Sequence, residues 1–135
     1  MTDDVLMRAT KKTPKFSLDG TATFAKCVDV YDGDTAQFVF RIFPVGPLYR
    51  FSCRMMGYNS AEIKGQTEEE RNKALEAKKA LSDLILDKVV ALKLGKFDKY
   101  GRVLVTVSVN NIDVNKYMVD NNYGKIYTGR GAKLW

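Results

Sequence analysis

The sequence contains no histidine, and its two cysteines, Cys27 and Cys53, do not form a CxxC pair. The first absence removes the side chain that most often moves protons near neutral pH, which excludes Ser-His-Asp and Cys-His nucleophile systems. Together the two absences remove the usual zinc-ligand spacings. Both cysteines fall in apolar, strand-like segments and are read as small packing residues without chemistry of their own. Also missing is any apolar run near the roughly 20 residues that a membrane-spanning helix requires. The opening Met1-Thr-Asp-Asp has neither the basic nor the apolar region of a secretory signal. The expectation is an intracellular chain with no membrane partner, working as a monomer; a signal already removed would leave no trace.

What is present fits one soluble domain: 135 residues, 45% hydrophobic and 28% charged, are enough for a single core and too few for two. There is no internal repeat and no low-complexity segment. The formal charge of +6 suits a polyanionic partner, because clustered Lys and Arg release the counterions condensed on a phosphate backbone. Nucleic acid leads the candidates on charge, although a basic solvated surface would give the same figure.

Residues 1–20, with Lys11, Lys12 and Lys15 around Pro14, read as a mobile basic arm, and residues 21–135 as the folded domain. A first strand is expected over residues 21–31 and a second over 36–43, with Phe38, Phe40 and Ile42 on one face and Asp32-Gly33-Asp34 as the turn between them. After Pro44-Val45-Gly46-Pro47, a third strand buries Tyr49, Phe51, Cys53 and Met55 while Arg50, Ser52 and Arg54 face the other way. Thr67 with Glu70 makes a capping box, and Ala74, Ala77, Leu81, Leu84 and Ile85 carry a helix to about residue 88. Two strands follow, over 89–97 and 103–109, joined by Asp98-Lys99-Tyr100-Gly101, where Gly101 can take a positive φ. Asn110-Asn111 is a turn. A short helix then starts near Asp113, carries Val114, Tyr117 and Met118 on one side, and stops at Gly124, before an irregular tail over 129–135.

Three strands, a helix, two strands and a helix suit an α+β fold, a five-stranded OB-like barrel. Its ligand surface includes the loops joining strands one to two and four to five. Here the first loop carries Asp32 and Asp34, and the second carries Asp98, Lys99, Tyr100 and Arg102. Without histidine, carboxylates must do the proton work. On a phosphodiester they need a hard cation and fixed positive charge beside them.

These residues resemble the staphylococcal-type nucleases, or thermonucleases. The likeness rests on Asp32-Gly33-Asp34-Thr35, on Arg54 through Glu62, and on Asp98-Lys99-Tyr100-Gly101-Arg102, in that order and near that spacing. It covers roughly residues 22 to 130. What the resemblance implies is hydrolysis of DNA or RNA with calcium, by attack of water on phosphorus in line with the departing 5′ oxygen, leaving a 3′ phosphate. It makes Asp34 the main calcium carboxylate, joined by Asn59 and the backbone carbonyl of Ser60, with Asp32 and Thr35 close behind. Glu62 falls where the family orients or deprotonates the water, and Arg54 and Arg102 where it clamps phosphate. Lys99, Tyr100, Leu104 and Tyr127 fall where it holds the nucleotide.

Asn59 stands where the family usually has a second calcium carboxylate, and Ala61 where it has a proline. The family's long C-terminal helix is missing, and Trp135 is expected to cover the apolar surface that helix would bury. A nuclease-like module that binds nucleic acid without cleaving it, and a plain OB-type single-strand binder, remain the alternatives.

Overall fold

The computed structural model describes residues 4–127. A four-residue helix, α1 (Asp4–Met7), buries nothing. The barrel strands are β1 (Ala22–Asp32), β2 (Thr35–Phe40), β3 (Tyr49–Met55), β5 (Val89–Phe97) and β6 (Val103–Val109). Three short strands accompany them: β4 (Tyr58–Asn59), β7 (Ile112–Asp113) and β8 (Lys125–Ile126). Helix α2 (Glu68–Ile85) joins β4 to β5, and α3 (Val114–Asp120) follows β7.

The order β3-β2-β1-β5-β6 is antiparallel throughout, and a parallel pairing of β3 with β6 closes it into a five-stranded barrel. The OB-like expectation therefore holds. Period-two burial explains the strands: β6 turns Val103, Val105 and Val107 inward, and β2 does the same with Ala36, Phe38 and Phe40. Helix α2 caps one end, with Ala74, Ala77, Leu81 and Ile85 fully buried at helical spacing. Thr67 Oγ1 accepts the Glu70 N–H at 3.0 Å. Glu70 completes only half of a capping box, since its carboxylate accepts from Gln66 N, not from the cap residue.

Several expected boundaries move. Leu18, assigned to the arm by sequence, is buried in the core, and Gly20 N–H donates to Leu94 O, so barrel contacts start before residue 21. The second strand stops at Phe40, after which the chain bends over residues 42–46 and Arg41 Nε donates to Gly46 O at 3.0 Å. Tyr49 is exposed at the open start of β3; Phe51, half-buried, stacks on Phe40 at 4.3 Å in its place. Helix α2 ends at Ile85, and Asp87 takes a positive φ of 61°. The last helix ends at Asp120, capped by Asn121 and turned by Asn122 at φ 63°, not by Gly124. Gly124 lies flat against the Tyr58 ring, where a Cβ would collide. The expected role of Trp135, and the irregular tail, lie outside the described residues. Among the described residues no helix is long and apolar enough to cross a membrane.

Candidate active site

The β1–β2 turn is built by short-range bonds and then pinned from behind. Irregularities in the β1–β2 register at Cys27/Asp29 and Val30/Asp32 re-aim the strand end, as bulges beside sites commonly do. Asp32 Oδ1 accepts the Asp34 N–H at 3.0 Å, which fixes the turn. The buried Tyr58 hydroxyl donates to Gly33 O at 2.7 Å. Gly33 packs so tightly that an added Cβ would lie 2.6 Å from Ala77 Cβ and 2.7 Å from Ser60 Cβ. The turn is thereby clamped between α2 and the segment after β4.

Asp34, almost wholly buried, is the most connected carboxylate of the site. Its Oδ2 accepts from Ser60 N–H at 2.9 Å and lies 2.8 Å from Arg54 Nη1, while its Oδ1 accepts from Thr35 Oγ1 at 3.0 Å. Arg54 Nη2 donates to Tyr58 O at 3.3 Å and to Asn59 Oδ1. Ser60 reaches the cluster through its N–H; its hydroxyl is buried without a hydrogen-bond partner. Burial alone would raise the Asp34 carboxyl, yet the Arg54 charge and bonds from Asp32, Ser60 and Arg54 hold it below the usual carboxylate range. Burial, and then the Asp34 charge, push Asp32 up to about 7, with Glu62 adding to the repulsion. Near neutrality Asp32 is therefore only partly ionised, beside an Asp34 that keeps its charge.

The β5–β6 hairpin supplies the second half. The Asp98 carboxylate accepts from Tyr100 N–H and Arg102 N–H at 2.9 Å each, and from Arg102 Nε at 2.7 Å. Burial works against that charge, but these bonds and the Arg102 guanidinium hold Asp98 below the ordinary range. Gly101 takes φ +81° and closes the turn. Arg102 Nη1 reaches Thr35 Oγ1 at 3.4 Å, so Thr35 links the two arginines through Asp34. Lys99 and Arg102 lie 5.1 and 5.3 Å from the Tyr100 ring centre, and Tyr100 is 72% exposed, free to stack. Leu104 sits beside Arg54 in the parallel β3–β6 register.

These residues line one cleft of about 1010 Å³: Asp32, Asp34, Thr35, Arg54, Asn59, Glu62, Lys99, Tyr100, Arg102, Leu104 and Tyr127. Of the candidate site residues singled out by sequence, Ser60 alone is not part of the lining, and it adjoins the lining through its N–H bond to Asp34. Tyr127 is brought there by the β4–β8 ladder, and its N–H donates to Gly57 O at 2.9 Å. That ladder, and the cleft residues Tyr31, Met56 and Ile126, went unread in the sequence. So did Asn115, whose buried amide donates to Met56 O and Val105 O and accepts from Val107 N–H, tying α3 to the cleft floor. Its neighbour Lys116 is polar as well, so nothing in Val114 to Met118 marks Asn115 as buried. The cysteines are free and buried, and burial first of all raises Cys27 to about 11 and Cys53 to about 12, so both thiols stay protonated and inert.

A hard cation fits the donor chemistry of the cleft. Its candidate ligands are all oxygens, and two neighbouring buried carboxyl groups, one of which raises the other, are short of positive charge even with Arg54 present. Among the described residues no three carboxylate, cysteine or histidine side chains form a ready-made metal cluster, so Asn59 and backbone oxygens would have to complete the set.

The family model described as staphylococcal nuclease homologue matches residues 52–133, more than half of the chain. No curated protein matches it.

Proposed function

The chain belongs to the staphylococcal nuclease family, and from that premise we propose that it is a calcium-dependent nuclease cleaving DNA or RNA with little sequence preference. The observation that carries the reading is the meeting of Asp34, Glu62, Arg54 and Arg102 in one cleft beside an exposed tyrosine. A stacking or peptide-binding module has no use for that combination of carboxylates and guanidiniums.

Asp34, Asn59 and the Ser60 carbonyl would hold calcium, which would supply positive charge to the phosphate oxygens. Glu62 takes a proton from the attacking water, whose oxygen bonds to phosphorus as the bond to the 5′ oxygen breaks. The phosphate stays on the 3′ side, and the 5′ oxygen leaves as a hydroxyl after taking up a proton from solvent water. Arg102 and Arg54 bind the equatorial oxygens, where charge grows; preorganised donors of this type are worth about 3 kcal/mol each. Asp98 holds the Arg102 side chain by Nε, which leaves its terminal nitrogens, with only a long 3.4 Å bond from Nη1 to Thr35, for phosphate. Tyr100 and Lys99 receive the nucleotide end. Contacts to phosphate and to base faces are indifferent to base identity, which accounts for the broad specificity.

Asn59 favours a second reading, a weakly active or inactive module that binds nucleic acid, because an amide contributes no charge to a cation site. One assay separates the two. Plasmid, single-stranded DNA and RNA are incubated with the protein in millimolar calcium or in chelator. Cleavage in calcium alone, with 3′-phosphate ends, is the expected result. Binding without product at millimolar calcium overturns the enzyme and leaves the module.

A further inference from the structure

Alternate residues of a strand share a face, so Arg54, Ser52 and Arg50 of β3 all point outward while Cys53 and Met55 are buried. The ladders extend each position sideways. Arg54 stands beside Thr35, and Ser52 beside Gln37 and then Asp29. Arg50 stands beside Val39, then Lys26, then Val89. Four residues of strand place the Arg50–Lys26 row roughly 13 Å from the Arg54 row in the cleft. Past it lies a concavity of about 720 Å³ with Lys26 and Arg41 in its wall and no carboxylate lining it. Phe24 and Phe43, 75% and 67% exposed, also line it. Asp29 is the one acid on the intervening row, and it sits on β1, two strands away from Ser52.

We infer that this face is an extended subsite for single-stranded nucleic acid. The strand whose phosphate lies at Arg54 and Arg102 continues over Ser52 and Gln37, is held by Arg50 and Lys26, and lays bases on Phe24 and Phe43. The inference rests on the nucleic-acid reading of the cleft and adds which form of the polymer binds, and how much of it. Charge complementarity and continuity with the cleft argue for this occupant: cations sit at strand spacing, and exposed rings beside them have π-faces to offer. A duplex keeps its bases stacked on one another and cannot use those rings, so the face selects single strands.

The test uses the double variants Lys26→Glu/Arg50→Glu and Phe24→Ala/Phe43→Ala. All four side chains are exposed, and a melting curve confirms each fold. Dissociation constants in chelator are measured by fluorescence anisotropy for single-stranded oligonucleotides of about 4 and about 14 nucleotides. Turnover of the short oligonucleotide is followed in calcium. The wild type binds the longer oligonucleotide more tightly. In both variants that affinity falls about tenfold or more, the short-oligonucleotide affinity and turnover stay as they were, and the charge variant shows a shallower salt dependence. Unchanged length dependence in both variants overturns the subsite. So does sedimentation of the wild type with phosphatidylserine vesicles, lost in the Phe variant while long-oligonucleotide affinity is unchanged, because the face then serves a lipid surface. A wild type that never cleaves, yet loses its length-dependent binding in the variants, ends the nuclease reading and leaves the subsite standing.

Discussion

Arg54 Nη1 lies 2.8 Å from Asp34 Oδ2, and the same guanidinium donates through Nη2 to Asn59. The side chain proposed to clamp phosphate therefore also serves as counter-charge to the proposed metal ligands. With side-chain exposures of 13% and 5%, both partners are largely out of water. Substrate and cation would draw on the same cluster, and the pair ties stability to metal binding.

Arg54→Ala leaves Asp34 buried without its counter-charge. In chelator the variant should lose about 3 kcal/mol of stability. Millimolar calcium should return much of that loss, since a cation replaces the missing charge. Melting curves with and without calcium check it, independently of activity. Equal destabilisation in both conditions would mean that Asp34 does not meet the cation.

Glu62→Ala and Arg102→Ala should each lower turnover at least about a hundredfold. Glu62→Ala should keep most of its affinity for single-stranded DNA in chelator, because a carboxylate contributes nothing attractive to a polyanion. Arg102→Lys should recover little, since a point charge replaces a fork that Asp98 orients through Nε. Retention of wild-type turnover by Glu62→Ala would remove that residue from the proton transfer.

Gly33→Ala should cost about 1–3 kcal/mol, because the new methyl meets Ala77 and Ser60 at distances neither can relieve without moving α2 or the chain after β4. Gly101→Ala meets nothing within 4 Å and carries only the strain of φ +81°, so its cost should be smaller. Chemical denaturation of the two variants makes the comparison. The reverse order would show that the Asp32–Asp34 turn is not wedged in place.

The barrel was legible where burial alternates cleanly. The strands Val89–Phe97 and Val103–Val109 have the bounds read from sequence, since their valines and leucines repeat at period two between recognisable turns. The ends of elements were harder, because Leu18 is one apolar residue at the end of a basic segment and Tyr49 is an aromatic whose burial depends on where the barrel opens. The β4–β8 ladder joins Tyr58 and Asn59 to residues far along the chain with two residues per strand, too few for any periodic signal. Which candidate residues line the cleft together could be read from local motifs, Ser60 excepted; their bonds could not. That Arg54 turns toward Asp34 and Asn59 depends on the rotamer of a long side chain in a finished fold, which spacing along the chain does not encode.

The last prediction concerns Asn59, 2% exposed and bonded through its amide oxygen to Arg54. Aspartate has nearly the same shape and adds one negative charge at that point. Calcium sites tune affinity over orders of magnitude largely through ligand charge and rigidity, so Asn59→Asp should bind calcium more tightly and reach half-maximal cleavage at a lower concentration. Without the cation the substitution works the other way. The Asp34 charge already raises Asp32, Glu62 adds repulsion, and a further buried carboxylate leaves Arg54 as counter-charge to two acids. The variant should melt below the wild type in chelator and gain more from calcium than the wild type gains. Parallel calcium titrations of cleavage and of melting temperature decide it: identical curves for the two proteins would show that residue 59 does not touch the metal and would move the cation site away from the end of β4.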